Sequence, residues 1–327
     1  MNSNEKFEKI YSKLVENNLS DLEKARENAN REKIINTIIS IICVIAIVAL
    51  FFSFCLIFYT KNLIIALVVS LSVSIAFIVH TKFKPQYSNH KTYQYNDKFK
   101  SEVITALLNS FNETIEYFPY RGIKPTIYDE AEFENYDRFS SEDLVYGKLK
   151  NNCNFLISEV LTEYEIQDSN GNRHYNPIFC GIFSKVKTPK PFNASLYLRK
   201  DRKDKNLFDR AFRTKLPFDN LRVETDSQEF EKVFDVYCTD KIIAMQLLTA
   251  DIMQLLIDFQ EEMNMDYELT IKNNCIYVRF MSGKMFETSK LTKSSLDKET
   301  LYKYYKMLDF IFSLTDKLIN LIKNTEY

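Results

Sequence analysis

The apolar positions change rhythm along the chain. Near the N-terminus Phe7, Ile10, Tyr11 and Leu14 recur at the spacing of one helix face, in a segment that is otherwise polar. Ser20-Asp21-Leu22-Glu23 has the form of a capping box and predicts a helix restarting after Asn17 and Asn18. The pattern then ceases to be amphipathic. Residues 36–58 carry no charge, and after Tyr59, Thr60, Lys61 and Asn62 a second uncharged run fills residues 63–79. A helix over the first run is about 34 Å long at ~1.5 Å per residue, enough to cross a hydrocarbon core of about 30 Å. The second run is short but can span with little tilt. A buried helix pair would show a polar face, and neither run does. A signal peptide would place its apolar core nearer the N-terminus and end in a small-residue cleavage site. The expectation is a transmembrane hairpin within residues 34–80, preceded by a helical segment at 1–33.

Residues 81–99 read as a linker, since 85–96 are polar without apolar periodicity. Residues 100–327 then read as an α+β domain. Ile104, Leu107, Leu108, Phe111, Ile115 and Phe118 mark an amphipathic helix, and Pro125 with the acidic run 129–143 interrupts the pattern. Val160, Thr162, Tyr164 and Ile166 alternate with Leu161, Glu163 and Glu165, the period of a half-buried strand. Asn170-Gly171 predicts a turn, with Ile178, Cys180 and Ile182 on the returning strand and Leu196 and Leu198 on another. A second hairpin pairs Tyr267, Leu269 and Ile271 with Ile276, Val278 and Phe280 across Asn273-Asn274. Helices are expected at Ile252, Leu255, Leu256, Phe259 and Met263, and at Leu301, Tyr304, Leu308, Ile311, Leu318 and Ile322, the latter starting near Ser294 and Asp297. Consecutive strands joined by short turns favour an antiparallel sheet packed with helices.

Charge orients the hairpin. Lys24, Arg26, Arg31 and Lys33 precede the first run, and Lys82, Lys84, Lys91, Lys98 and Lys100 follow the second, whereas the connecting loop has only Lys61. The positive-inside rule then places both termini in the cytoplasm, in a multi-pass protein of the cell inner (plasma) membrane. Ala66, Ser70 and Ser74 form a small-residue stripe on the second run, and Ala49 and Ser53 on the first. Such residues let two helices approach closely, so these five positions are the expected packing contact of the hairpin.

Composition narrows the chemistry. With 46% hydrophobic and 27% charged residues the chain should fold, and a net charge of −1 gives no global attraction to nucleic acid. The 5 glycines are too scattered for a phosphate-cradling loop. The 6 cysteines lack C-x-x-C spacing and the 3 histidines are isolated, so no metal and no cofactor is expected. Charge is segregated locally: 129–143 is acidic, whereas 185–215 is rich in bases, among them Lys185, Lys187 and Lys190. A cytoplasmic domain held near an anionic leaflet could use such bases, and Arg199, Lys200, Arg202 and Lys203 are the candidate contacts for lipid or an acidic partner. The alternative for this segment is a solvated loop.

Several short segments, in order, carry a family resemblance. They are Glu142-Asp143-Leu144-Val145-Tyr146-Gly147, Ser158-Glu159, Phe179-Cys180-Gly181-Ile182-Phe183, Val223-Glu224, Glu229-Phe230, Phe234-Asp235-Val236-Tyr237, Asp240, Ala244, Leu248-Thr249 and Ile276-Tyr277-Val278. Together they resemble domain-of-unknown-function family 3137, bacterial membrane-anchored proteins with two spans ahead of the domain. Ala250 stands where that family tends to have Pro. The resemblance implies an architecture and a bacterial source, and no activity. The matched segments contain Asp143, Glu159, Glu224 and Asp240, weak catalytic candidates if they converge. Simpler roles compete: Asp240 as a helix cap, and Asp226 with Glu229 as a helix start. The favoured reading is a non-enzymatic, membrane-tethered domain that binds a cytoplasmic or membrane protein partner, or the bilayer itself. A membrane-surface hydrolase or transferase using clustered carboxylates is the alternative. A transporter would need intramembrane charges that the spans lack.

Overall fold

Strict alternation of side chains builds a sheet whose two faces are both covered. The computed structural model describes residues 3–16, 20–60, 90–111, 114–200, 219–288 and 290–324. They divide into two units, one of Met1–Ile10, Thr105–Glu287 and Glu299–Tyr327, the other of Tyr11–Ile104 and Thr288–Lys298. The first unit holds strands β1 (Glu116–Phe118), β2 (Arg138–Lys148), β3 (Asn154–Gln167), β4 (Arg173–Lys187), β5 (Leu196–Lys200), β6 (Arg222–Val223), β7 (Phe234–Cys238), β8 (Tyr267–Lys272) and β9 (Cys275–Phe280). They form one 9-stranded sheet in the order β1-β2-β3-β4-β9-β8-β5-β7-β6. Every pairing is antiparallel. The two hairpins expected from sequence are present. Gly171 turns β3 into β4 at φ +84°, and Asn273 turns β8 into β9 at φ +55°, a conformation Asn tolerates.

The helices are α1 (Ser3–Glu16), α2 (Ser20–Thr60), α3 (His90–Phe99), α4 (Thr105–Asn109), α5 (Pro125–Asp129), α6 (Gln228–Val233), α7 (Lys241–Leu247), α8 (Ala250–Met263) and α9 (Lys298–Asn324). One sheet face carries Tyr267, Leu269 and Ile271 of β8 with Ile276, Val278 and Phe280 of β9, all buried. The aromatic rings of α8 and α9 cover it. Phe259 stacks on Phe310 at 3.8 Å, and Tyr267 donates its hydroxyl to the Leu256 carbonyl at 2.6 Å. Each such large side chain contributes about 1.5–3 kcal/mol when taken from water.

The opposite face alternates polar with apolar and looks solvent-facing in sequence, yet it too is buried. Residues 123–139 fold back over it, and Tyr128, Ala131 and Phe133 pack with Val160, Phe179, Phe183 and Tyr277. The acidic run is thereby paired within the fold. Arg279 joins Glu134 and Glu268, and Lys272 joins Glu132. Glu130 accepts from Lys185 and from the Tyr277 hydroxyl. The Tyr128 hydroxyl accepts from Arg279 at 2.6 Å and donates to Glu134 at 2.7 Å. Burial opposes ionisation of Glu268, but the charges of Arg279 and Arg199 outweigh it and hold this carboxyl below its usual range.

This arrangement corrects the expectation for Arg199. It is 1% exposed and donates to the carbonyls of Leu198, Leu269 and Glu132 and to the Thr270 hydroxyl. Its guanidinium lies over Phe133 and Tyr197. Burial lowers its pKa to about 10, so it remains a cation at neutral pH, enclosed by the fold and out of reach of a membrane. Lys200 pairs with Asp266. Arg202 and Lys203 lie outside the described residues.

Other differences have local causes. The helix expected to run to Phe118 stops at Asn109, because 116–118 pair with β2 as the sheet edge. The acidic run expected only to interrupt the pattern leads directly into β2. Ser227, not Asp226, caps α6 by accepting from the Phe230 N–H.

In the second unit, residues 90–99 of the expected linker are helical, with Tyr95 and Phe99 buried. The rest of that linker, 81–89, lies outside the described residues. Residues 290–298 strap onto the start of α2. Glu23 accepts from the Ser294 hydroxyl and the Ser295 N–H, Arg26 donates to the Leu291 carbonyl, and Tyr95 donates to the Ser295 hydroxyl. Glu23 thus serves a tertiary contact beyond the predicted capping box. Farther along α2 the apolar residues have no cover: Ile42 is 57% and Ile45 62% exposed. Ala49 on the same helix is also exposed, Ser53 falls within α2, and Ala66, Ser70 and Ser74 lie with the second uncharged run outside the described residues.

Replacing Arg279 with Leu should destabilise the first unit by about 3–5 kcal/mol, because Glu134 and Glu268 would be left buried and unpaired. Far-UV circular dichroism melts of the full chain in detergent should show this, whereas Lys303→Gln, in an exposed pair with Glu299, should shift the melt little.

Candidate functional site

The site begins with a fault in a strand. β2 pairs with β3 from Arg138 to Glu142, and the register shifts before resuming at Val145. A bulge of this kind re-aims side chains. Asp143 adopts φ +55°, and its N–H and that of Leu144 bond instead to the carbonyls of Pro119 and Arg121. Its carboxylate is fully buried, and the Tyr117 hydroxyl donates to it at 2.5 Å. Burial, followed by the Asp143 charge, pushes the Tyr117 pKa far up and keeps this hydroxyl a donor.

Glu159 on β3 lies directly across from Glu142. The Ser158 hydroxyl donates to the Glu142 carbonyl at 2.6 Å, and Ser141 donates to the Glu159 carbonyl at 2.8 Å. The third component arrives from the far side of β9. After Phe280 the chain runs back past β4, and the Gly283 N–H donates to the Cys180 carbonyl at 3.1 Å. Gly181 permits this crossing, since a Cβ there would sit 1.9 Å from the Phe280 carbonyl oxygen. The returning segment contributes the Met285 N–H, which donates to Glu159 at 2.7 Å. It also brings Lys284, at 2.8 Å from Glu142 and 3.7 Å from Glu159. Phe286 follows at φ +55°, a costly conformation for a bulky residue. The Glu287 carbonyl accepts from the Tyr304 hydroxyl at 3.1 Å.

Carboxylate oxygens of Glu142, Asp143 and Glu287 all lie within 4.8 Å of one another. Burial raises the Glu159 pKa to about 7; the Met285 N–H and Lys284 oppose this, while the charges of Asp143 and Glu142 add to it. A carboxyl titrating near neutrality can exchange a proton with a bound group. Three carboxylates at this spacing have the donor chemistry for a hard divalent cation.

Of the four carboxylates singled out in sequence, Asp143 and Glu159 come together here. Glu224 is exposed after β6, at the opposite edge of the sheet, and Asp240 caps α7 through the N–H groups of Ile242 and Ile243. Tyr117, Lys284 and Glu287 belong to the site without having been singled out. They lie outside every segment that carried the resemblance, and only the crossing at Gly181 reveals Lys284 and Glu287.

Because Glu159 takes up its proton more readily when folded than when unfolded, its contribution to stability is full below about pH 4.5 and is lost as pH rises through about 7. Melting midpoints of the wild type should therefore fall, relative to Glu159→Gln, between about pH 5 and about pH 8. In the same assay Gly181→Ala should cost about 2 kcal/mol or more, since backbone must move to admit the methyl group.

A search of curated proteins finds no match. Among solved structures, the crystal structure of the mycobacterial trehalose monomycolate transport factor A, TtfA, is similar at 10% identity and a TM-score of 0.34, over 66% of this chain and 94% of that one. A family match covers residues 177–320, which takes in Gly181, Lys284 and Glu287, whereas Glu142, Asp143 and Glu159 precede it. Over residues 177–320 the chain is similar to the family described as Protein of unknown function (DUF3137).

Proposed function

We propose that this is an integral membrane protein that displays a binding domain at the membrane surface. The observation that carries this reading is the uncovered apolar length of α2: its segment Ser20–Ala49 has a mean hydropathy of 2.1 over its most apolar window, none of which is buried. In water such a surface would be an aggregation hazard, and in lipid it is at home. Two spans, with both termini and the α+β domain in the cytoplasm, follow from the second uncharged run and the flanking bases. The domain would bind a protein partner or the anionic inner leaflet. With Arg199 enclosed and Lys200 paired, Arg202 and Lys203 are the bases of the original set left to make that contact.

A second reading has one specific observation in its favour. Asp143 and Glu159 converge with Glu142, Glu287 and Lys284, as a membrane-surface hydrolase or transferase would require. Divergence of Glu224 and Asp240 from that cluster weighs against it.

The topology is tested with Lys61→Cys in intact cells. A membrane-impermeant maleimide should label that variant from outside, while a C-terminal epitope tag stays protected until the membrane is opened. A tag accessible in sealed cells would overturn the orientation. Arg202→Glu with Lys203→Glu should weaken binding to anionic vesicles in a salt-dependent way and leave the melt unchanged.

A further inference from the structure

Where α2 passes from charged to uncharged sequence, the second unit forms a groove of about 460 Å³. Its helical wall is one stripe of α2 that includes Lys33, Ile34, Thr37 and Ile38, and its other wall includes Lys290 and Leu291 of the strap. The strap is fixed in place. Arg26 donates to the Leu291 carbonyl at 2.5 Å, and Glu23 accepts from the Ser295 N–H at 2.7 Å. The groove is therefore built from segments far apart in sequence and is no mere accident of one helix surface.

Its chemistry is divided. Lys33 and Lys290 supply two cations and the lining has no acid. Among the described residues, neither lysine takes part in an ion pair; the nearby Arg26 and Lys293 are paired with Glu23 and Asp297. Ile34 and Ile38, each 50% exposed, continue the wall toward the uncharged part of α2. Along the helix axis Lys33 and Ile38 are roughly 7.5 Å apart, so the cations sit at the depth of lipid phosphates when the apolar run is in the hydrocarbon.

We infer that this groove binds an anionic phospholipid of the leaflet at the N-terminal end of α2, its phosphate between Lys33 and Lys290 and the start of an acyl chain along Ile34, Ile38 and Leu291. The inference rests on the membrane reading above. It adds, to the contact proposed for Arg202 and Lys203, a lipid site at the base of the membrane helix. A free phosphate would satisfy the lysines but leave the apolar wall unused.

The test uses the full chain in nanodiscs of equal phosphatidylglycerol and phosphatidylcholine, with native mass spectrometry of the lipid retained on ejection. The wild type should retain phosphatidylglycerol preferentially, and Lys33→Gln with Lys290→Gln should lower that retention by about tenfold. Lys33→Arg with Lys290→Arg should keep it, which separates lost charge from a misfolded strap. Equal retention by wild type and the Gln variant would overturn the site, as would displacement of the lipid by inorganic phosphate. A chain that fails to enter nanodiscs and stays in the aqueous fraction would overturn the membrane reading itself, a result distinct from loss of lipid preference.

Discussion

Arg279 lies between Glu134 and Glu268 with almost no access to water, and the first unit is organised around that constraint. An isolated charge could not stay there, and each carboxylate alone would be equally untenable. Together they require residues 123–139 to lie on the sheet, because Glu134 comes from that excursion and Glu268 from β8. The aromatic packing of Tyr128 and Phe133 over Phe183 and Tyr277 then comes as part of the same closure. Burying an ion pair adds little net stability compared with a hydrophobic replacement. Its effect is to specify one placement of the excursion, since a shift of register on β8 or β9 would strand a charge.

The carboxylate site depends on the same sheet but on opposite qualities. Its geometry comes from departures from regularity: the bulge at Asp143, the positive φ of Phe286 and the close backbone crossing at Gly181. Strain of this kind persists when the surroundings over-determine it. Here Tyr117 holds Asp143 from one side, and the Met285 N–H holds Glu159 from another. Lys284 lies near enough to neutralise part of the acid charge but is 58% exposed, so its hold on Glu142 and Glu159 is partly screened.

In the second unit one helix changes character along its length. The first turns of α2 are tied by Glu23 and Arg26 to the strap, and its later turns present isoleucine and valine on all sides. The change falls close to Lys33. Under the membrane reading proposed above, the residues at this junction would set the depth of the helix in the bilayer.

Local pattern alone was sufficient for much of this architecture. The uncharged stretch of α2, the β3–β4 and β8–β9 hairpins with their Gly171 and Asn273 turns, α8 and α9 all follow from periodicity and turn chemistry, which act within a few residues. The resemblance segments likewise contained Asp143, Glu159 and Gly181. Tertiary structure decided what lay on the polar side of each strand. Glu268, Thr270 and Arg279 alternate as solvent-facing residues do, and only the folded excursion makes that face an interior. The same ambiguity made Arg199 look like part of a basic surface, because charge along a sequence carries no information about which charges meet in space. Lys284 and Glu287 join Asp143 through a crossing set by the backbone path, and the groove at Lys33 and Lys290 joins residues more than two hundred positions apart. Periodicity reports which side of an element a residue occupies, and long-range packing decides what that side faces.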